Sequence, residues 1–230
     1  MKAVIFAGGY GTRLSERTDA IPKPMVEIGG RPILWHIMKI YSHYGVNDFV
    51  ICCGYKQQVI KDYFANFFLY NSDVTLDLSN NSMEIHNSTS ENWRVTLVDT
   101  GLDTFTGGRL KRVQPYVGHE RFFLTYGDGV ADINIEDTLT AHIEAGKKLS
   151  MTVYQPQGKL GVVDIDDTGD VKGFIEKPRS GGNWINAGFF VCEPEVFDVL
   201  EGDHEMFEQE PTQKLVAENE VHAFKHFGFW

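Results

Sequence analysis

The chain contains 230 residues, of which 42% are hydrophobic and 23% charged, a composition that is typical of globular proteins and excludes disordered or collagen-like chains. Its formal net charge of −11 argues against binding to nucleic-acid polymers, which requires a basic surface. No apolar stretch approaches the roughly 20 residues of a membrane span or resembles a secretion signal, so we expect a cytoplasmic protein that does not bind membranes.

The hydrophobic pattern alternates between strands and helices along the chain. Apolar and alternating runs predict strands over 2–7, 48–53, 74–78, 83–86, 93–99, 121–129, 149–155, 185–193 and 221–226. Apolar residues at helical spacing predict helices over 31–45, 57–70, 107–117, 136–147 and 211–220. The segment 160–178 is predicted to form a hairpin that turns at DDTG.

These elements predict a single α/β domain over 1–230, since no linker, repeat or low-complexity tract interrupts them. We expect a mixed, mostly parallel central sheet flanked by helices. The strands at 74–78 and 83–86 alternate apolar and polar residues, which predicts a small, solvated antiparallel excursion, whereas 93–99 is expected to rejoin the main sheet.

The three cysteines are expected to be structural. Cys52 and Cys53 are adjacent on a predicted strand and therefore point to opposite faces, which disfavours a mutual disulfide or a shared metal ion. Cys192 lies in another apolar run. The pattern favours buried, reduced thiols.

The glycine-rich stretch FAGGYGTRL follows the first predicted strand. Gly9 and Gly11 match the first two glycines of the dinucleotide-binding fingerprint, but Leu14 occupies the place of the third. The phosphate loop of nucleoside triphosphatases is excluded too, because no Gly-Lys-Ser/Thr follows. Glycines beside Arg13, with Lys23 held between two prolines, instead suit a polyphosphate. The alternative is a glycine turn with two solvated cations.

Several motifs together carry a resemblance to a known family. They are AGGYGTRL…PKPM, TGGRLKRV, TYGDGVAD, EKP, INAGFFV and EQEP, and they are similar to motifs of the sugar-1-phosphate nucleotidyltransferases over the whole chain. Within that family they resemble the branch that uses CTP and glucose 1-phosphate. The resemblance implies a Rossmann-like nucleotidyltransferase fold and transfer of a cytidylyl group to the sugar phosphate, giving CDP-glucose and pyrophosphate. It also implies in-line attack on the α-phosphorus, Mg²⁺ as cofactor and, as in hexameric members of the branch, a homo-oligomer.

The resemblance also assigns roles to individual positions. Arg13 and Lys23 would be the catalytic residues that contact the reacting phosphates, and Asp128 would bind Mg²⁺. The nucleotide would be contacted by Phe6, Ala7, Gly8, Gly9, Tyr10, Gly11, Thr12, Arg13, Lys23, Thr104 and Arg109. The sugar phosphate would be bound by Glu176, Lys177, Asn186 and Gly188.

Plainer interpretations stand beside these roles. Asp128 lies between two glycines, where aspartate is a common turn residue, and Arg109 could be a charge on a helix surface because Lys111 and Arg112 follow it. An adjacent Glu176 and Lys177 are ordinarily a solvated strand edge.

The base and the activity leave alternatives open. Uridylyl- and thymidylyltransferases of the family carry a glutamine followed by Pro-Gly-Leu-Ala, which is absent here and favours CTP; one of those two activities is the first alternative. Family members continue past the GFW motif to a second metal-binding aspartate, so we expect the C-terminal part of the family domain to be missing. A non-catalytic sugar-nucleotide-binding protein is therefore the second alternative, and a dinucleotide-dependent oxidoreductase is the weakest.

Overall fold

The computed structural model describes residues 1–10, 21–156, 162–165, 167–168, 170–175 and 183–230. Its strands are β1 (Lys2–Phe6), β2 (Glu27–Ile28), β3 (Arg31–Pro32), β4 (Asp48–Cys53), β5 (Ser72–Asp77), β6 (Ser82–Ser88), β7 (Arg94–Asp99), β8 (Phe122–Tyr126), β9 (Leu149–Tyr154), β10 (Val162–Ile165), β11 (Val171–Ile175), β12 (Ile185–Cys192) and β13 (Val221–His226). Its α-helices are α1 (Ile33–His43), α2 (Gln57–Ala65), α3 (Phe67–Tyr70), α4 (Thr106–Val117), α5 (Ile135–Ala145) and α6 (Glu210–Ala217).

Seven strands form the central sheet, in the order β13-β9-β12-β8-β1-β4-β7. β1 runs parallel to β4 and β8, β4 runs parallel to β7, and β9 runs parallel to β13. Only β12 among these seven is reversed, pairing antiparallel with β8 and β9. The predicted mixed, mostly parallel sheet is confirmed. The carboxyl ends of the six like-directed strands and the start of β12 therefore share one edge, which we call the carboxyl edge.

Both faces of the sheet are covered by apolar helix faces. On one face the buried residues of α1 and α2 pack on the strands, whereas α4 and α6 pack on the other. Cys53 belongs to the first core, and Cys52 and Cys192 belong to the second, so the predicted opposite orientation of the two adjacent cysteines is confirmed. All three thiols are free and buried, and burial raises the pKa of Cys53 to about 11.

Among the described residues, three antiparallel strand pairs lie outside the central sheet: the short pair β2–β3 and the two predicted hairpins. β5 pairs with β6, and β10 pairs with β11. The strand predicted at 93–99 rejoins the central sheet as β7, which forms its edge. The predicted helix at 57–70 is interrupted at Asn66, whose side-chain amide donates to the Asp62 carbonyl at 2.8 Å and ends α2. Within the described ranges, no helix is long and apolar enough to span a membrane.

Candidate active site

The glycine-rich loop leaves β1 at the carboxyl edge. Ala7 N–H donates to the Cys52 carbonyl at 3.0 Å, and Tyr55 N–H donates to the Gly8 carbonyl at 3.1 Å, so the start of the loop is bonded to β4 and the turn after it. The sequence assigned Gly11, Thr12 and Arg13 to the nucleotide site as well. Those three residues lie outside the described ranges, and their roles remain predictions.

Arg109, near the start of α4, connects this loop to the segment after β7. Its side chain is buried, with the whole residue only 4% exposed. The guanidinium donates hydrogen bonds of 2.7–3.3 Å to one hydroxyl and four backbone carbonyls, those of Thr100, Gly8, Cys53, Gly101 and Leu102. Arg109 is therefore not a helix-surface charge; it fixes the backbone of the glycine loop, of the end of β4 and of the segment after β7.

Two glycines make room for this guanidinium. A Cβ atom on Gly8 would lie 2.2 Å from Nη1 of Arg109, and one on Gly54 would lie 2.4 Å from the same atom. A side chain at Gly8 would fit only if Arg109 moved, and one at Gly54 would also lie 2.7 and 2.8 Å from the carbonyl oxygens of Gly8 and Gly101. Burial lowers the pKa of Arg109 relative to its ordinary value, and nearby Asp99 acts in the opposite direction. The glycine loop thus serves to admit a buried cation as well as to approach a ligand.

A cavity of about 410 Å³ opens beside the glycine loop. Eight of the residues assigned to the site from the sequence line it, namely Phe6, Ala7, Gly9, Tyr10, Lys23, Thr104, Arg109 and Asp128. They come from the ends of β1 and β8, from the segment before α4 and the first turn of α4, and from the turn that contains Lys23. A cavity of this size at the carboxyl edge is typical of a ligand site in an open α/β sheet.

Lys23 and Asp128 face each other across one end of this cavity. Lys23 Nζ lies 3.7 Å from Asp128 Oδ2, and the two side chains are 20% and 46% exposed. Asp128 reaches this position because Gly127 lets β8 approach β1 closely: Gly127 N–H donates to the Phe6 carbonyl at 2.8 Å, and a Cβ there would lie 2.6 Å from the same oxygen. A cation and a carboxylate so placed suit a phosphate group and a metal ion respectively.

Among the described residues, Asp128 is the one carboxylate that the sequence analysis predicted as a metal ligand. Among the residues that the structure describes, no three His, Cys, Asp or Glu side chains cluster as a metal site of their own. Mg²⁺ commonly uses one or two protein carboxylates beside substrate phosphates, so Asp128 alone fits the smaller of these ligand sets.

A hydrogen-bond network at the cavity wall was not foreseen from the sequence. Tyr126 donates to Glu208 Oε1 at 2.5 Å, and Thr106 donates to Glu208 Oε2 at 2.7 Å. Asn186 Nδ2 donates to the Tyr126 hydroxyl at 3.2 Å. Burial and, after it, the Glu208 carboxylate raise the pKa of Tyr126, so the phenol keeps its proton. Glu208 belongs to the EQEP motif, but the motif alone does not indicate a role for this residue.

The two residues assigned to the sugar from β12 are placed differently. Asn186 belongs to this network, and its Oδ1 accepts from Gly188 N–H at 2.8 Å. Gly188 has a φ of +83°, and a Cβ there would lie 2.4 Å from the Tyr126 ring. Gly188 therefore makes room for Tyr126. Glu176 and Lys177, assigned to the same subsite, fall outside the described ranges and stay predictions.

At the mouth of the cavity, Tyr10 bridges two segments. Its hydroxyl donates to Asp103 Oδ1 at 2.7 Å, and its ring lies 5.2 Å from that of Tyr55. The hydrogen bond to Asp103 raises the pKa of Tyr10. This bond joins the glycine loop to the segment before α4, which also contains Thr104.

The fold and site are those of an α/β protein with a phosphate-suited cavity at the carboxyl edge of its sheet. Residues 2–230 match the family model described as nucleotidyl transferase, and the chain belongs to this family. It is 56% identical to the glucose-1-phosphate cytidylyltransferase of Salmonella typhi, over 100% of this chain and 90% of that protein. It is 45% identical, with the same coverage, to the probable glucose-1-phosphate cytidylyltransferase of Bacillus subtilis.

The fold itself is shared with solved structures. A putative glucose-1-phosphate thymidylyltransferase from Bacillus anthracis, in complex with a sucrose, superposes with a TM-score of 0.71 at 16% identity, covering 100% of this chain and 88% of that one. Enzymes of the family generally use a divalent metal ion. The predicted nucleotidyltransferase fold class is thereby confirmed.

Proposed function

We propose that this protein transfers the cytidylyl group of CTP to α-D-glucose 1-phosphate, producing CDP-glucose and pyrophosphate. The observation that carries the proposal is the 56% identity, across the whole chain, to the Salmonella typhi glucose-1-phosphate cytidylyltransferase. The geometry is compatible with it, since the cavity combines a nucleoside-sized space with a cation and a carboxylate at one end.

The residues of the site have separate tasks in this reaction. In nucleotidyl transfer by direct attack on phosphorus, the protein contributes mainly by positioning the substrates and by compensating negative charge. Lys23 is proposed to bind a phosphate oxygen and to balance negative charge as pyrophosphate leaves. Buried Arg109 adds positive charge beneath the glycine loop and holds the Gly8 carbonyl in place. Arg13 is proposed as a second phosphate ligand on the resemblance alone.

Asp128 is proposed to hold Mg²⁺. The ion, when bound, supplies charge neutralisation on the triphosphate oxygens. Asp128 contributes a carboxylate that is exposed toward the cavity and lies within reach of the Lys23 ammonium. With the metal bound to Asp128, Lys23 is left to bind phosphate.

The reaction is tested by pyrophosphate release from CTP, UTP, dTTP or ATP in the presence of glucose 1-phosphate and Mg²⁺. We expect kcat/KM for CTP to exceed that for UTP by about a hundredfold or more, because a site built to pair with one set of donors and acceptors leaves buried groups unpaired with another. Preference for UTP or dTTP would instead support the uridylyl or thymidylyl activity. Saturable CTP binding with no pyrophosphate release would support the binding protein.

We further propose that the protein is a homo-oligomer, in which the β5–β6 hairpin contributes to an interface. The hairpin register places Leu76 opposite Met83 and Val74 opposite Ile85, so these four side chains share one face. Leu76, Met83 and Ile85 are 46–55% exposed. A lone two-stranded hairpin is marginally stable, and a continuous exposed apolar face is typical of an interaction surface.

A double substitution, Leu76→Lys with Ile85→Lys, is expected to dissociate the assembly, because it places two charges on the apolar face of the hairpin. Analytical ultracentrifugation should show a multimer, such as a hexamer, for the wild type and smaller species for this variant. Thr75→Lys with Glu84→Lys on the opposite face of the same hairpin is the matched control, and it should leave the assembly intact. A monomeric wild type at tens of micromolar would contradict the proposal.

A further inference from the structure

We propose that Glu208 is a positioning residue that sets substrate specificity, by making the hydroxyl oxygens of Tyr126 and Thr106 hydrogen-bond acceptors for a donor group of the substrate. The inference deepens the proposed function and rests on it, since it concerns substrate bound in the same cavity. Tyr126 and Thr106 both line that cavity. Glu208 acts through them, because its two carboxylate oxygens are occupied by their hydroxyl protons.

The first step of the argument concerns the protons. A hydroxyl group has one proton to donate and lone pairs that accept. Tyr126 donates its proton to Oε1 of Glu208 at 2.5 Å, and Thr106 donates its proton to Oε2 at 2.7 Å. An ionised carboxylate accepts only, so neither hydroxyl can reverse its bond. Neither hydroxyl therefore has a proton left to offer to a ligand.

The second step concerns the remaining lone pairs. The Tyr126 oxygen also accepts from Asn186 Nδ2 at 3.2 Å, and the Thr106 oxygen accepts from Phe207 N–H at 2.9 Å. These bonds fix the positions of both oxygens. The Thr106 oxygen keeps one lone pair for a ligand, whereas the Tyr126 oxygen accepts from a ligand only beside Asn186 Nδ2 or in exchange for it. A substrate gains affinity here only by bringing a hydrogen-bond donor, and an acceptor group in the same place would be repelled.

The third step concerns the rigidity of the wall. The Tyr126 ring packs against the backbone of Gly188, and its centroid lies 6.1 Å from that of Phe6 and 6.0 Å from that of Phe190. Thr106 is the first residue of α4, where the bond from Phe207 ties it to the segment that contains Glu208. Both acceptors are thus held by the carboxylate and by packing, as a specificity site requires.

The substrates offer three kinds of donor to this wall. Cytosine has an exocyclic amino group where uracil has a carbonyl oxygen, ribose has two hydroxyl groups, and the hexose has several more. The shared chemistry is an O–H or N–H donor of the bound substrate. Analogues that lack one donor at a time distinguish the sources: the 5′-triphosphate of the pyrimidin-2-one ribonucleoside, which lacks only the 4-amino group, for the base; 2′-deoxy- and 3′-deoxy-CTP for ribose; and monodeoxy glucose 1-phosphates for the hexose.

The test compares the penalty for each analogue in the wild type and in Glu208→Gln. One side of the glutamine amide is a donor, so at least one of the two hydroxyls loses its acceptor and can turn its proton toward the cavity. With the wild type, we expect kcat/KM for the analogue that lacks the relevant donor to be about tenfold lower than for the full substrate. With Glu208→Gln, the two substrates should have nearly equal kcat/KM. If Glu208 had a purely structural role, Glu208→Gln would lower kcat/KM equally for all substrates, and the ratio between full substrate and analogue would stay as in the wild type.

Two further variants keep the test decisive. Tyr126→Phe and Thr106→Val remove one acceptor oxygen each, and one of them should abolish the same analogue penalty even if Glu208→Gln folds poorly. Glu205→Gln is the matched control in the same segment: Glu205 Oε1 accepts from Glu201 and Gly202 N–H groups, a task that a glutamine oxygen can also perform. It should keep the wild-type penalties.

The outcomes separate this inference from the proposed function. If the wild type releases no pyrophosphate, calorimetry can measure the dissociation constants of the full substrate and the analogues instead. The wild type and Glu208→Gln are then compared by the ratio of these constants. In that case the cytidylyltransferase proposal fails while the role of Glu208 is still decided by binding. Analogue penalties that persist unchanged in Glu208→Gln, Tyr126→Phe and Thr106→Val would overturn the inference.

Discussion

Arg109→Met is expected to lower the free energy of unfolding by about 3–5 kcal/mol and to abolish nucleotide transfer. Methionine can occupy the space of the aliphatic stem, so the loss comes from the polar end of the side chain. Five acceptors, including the carbonyls of Gly8 and Gly101, lose their donor in a buried site. Urea unfolding followed by circular dichroism measures the change, and pyrophosphate release measures the activity.

Arg112→Met provides the control on the same helix. Arg112 is exposed and pairs with Asp203 at 2.6 Å, so its loss should cost about 1 kcal/mol or less. Gly8→Ala should reproduce much of the Arg109→Met loss, because the added methyl would lie 2.2 Å from the guanidinium. If Arg109→Met instead folds with wild-type stability and only weakens CTP binding, Arg109 is a ligand contact and not the connector of the glycine loop, the end of β4 and the segment after β7.

The burial of Arg109 had a signal in the sequence that local composition concealed. A spacing of four residues along α4 places Arg109 on the same helix face as Val113 and Val117, and both valines are buried. Lys111 and Arg112 beside it made the stretch look like a charged surface. Helical spacing would have separated the one inward-facing cation from its solvated neighbours.

Most of the fold followed from periodicity, and the rest depended on contacts between distant parts of the chain. The parallel strands were predictable because strands buried on both faces are apolar throughout. The network around Glu208 was not, since Tyr126 and Glu208 lie 82 positions apart and no local pattern relates them. The reason for Gly188 was equally hidden, because it depends on the Tyr126 ring packing against its backbone.

Asp128→Asn is expected to reduce Mg²⁺-dependent kcat/KM by roughly a hundredfold to a thousandfold with little change in stability. Asparagine keeps the shape of the side chain but removes the negative charge that a divalent cation requires. The fold should persist, because the Lys23–Asp128 pair is 3.7 Å apart and partly exposed, and such a pair contributes about 1 kcal/mol or less. Pyrophosphate release over a Mg²⁺ titration should show a higher metal requirement and a lower maximum rate.

Asp132→Asn serves as the matched control, because Asp132 lies four residues after Asp128 in the segment that follows β8. Its Oδ1 is engaged elsewhere: it accepts from Phe229 N–H at 2.7 Å and lies 3.0 Å from His226 Nε2. Its substitution should leave the Mg²⁺ requirement unchanged. Lys23→Met should show the complementary behaviour, with weaker CTP binding at an unaltered Mg²⁺ dependence, because Lys23 is assigned to phosphate and Asp128 to the metal. Full activity of Asp128→Asn at low Mg²⁺ would remove Asp128 from the metal site and leave the facing pair as a simple surface ion pair.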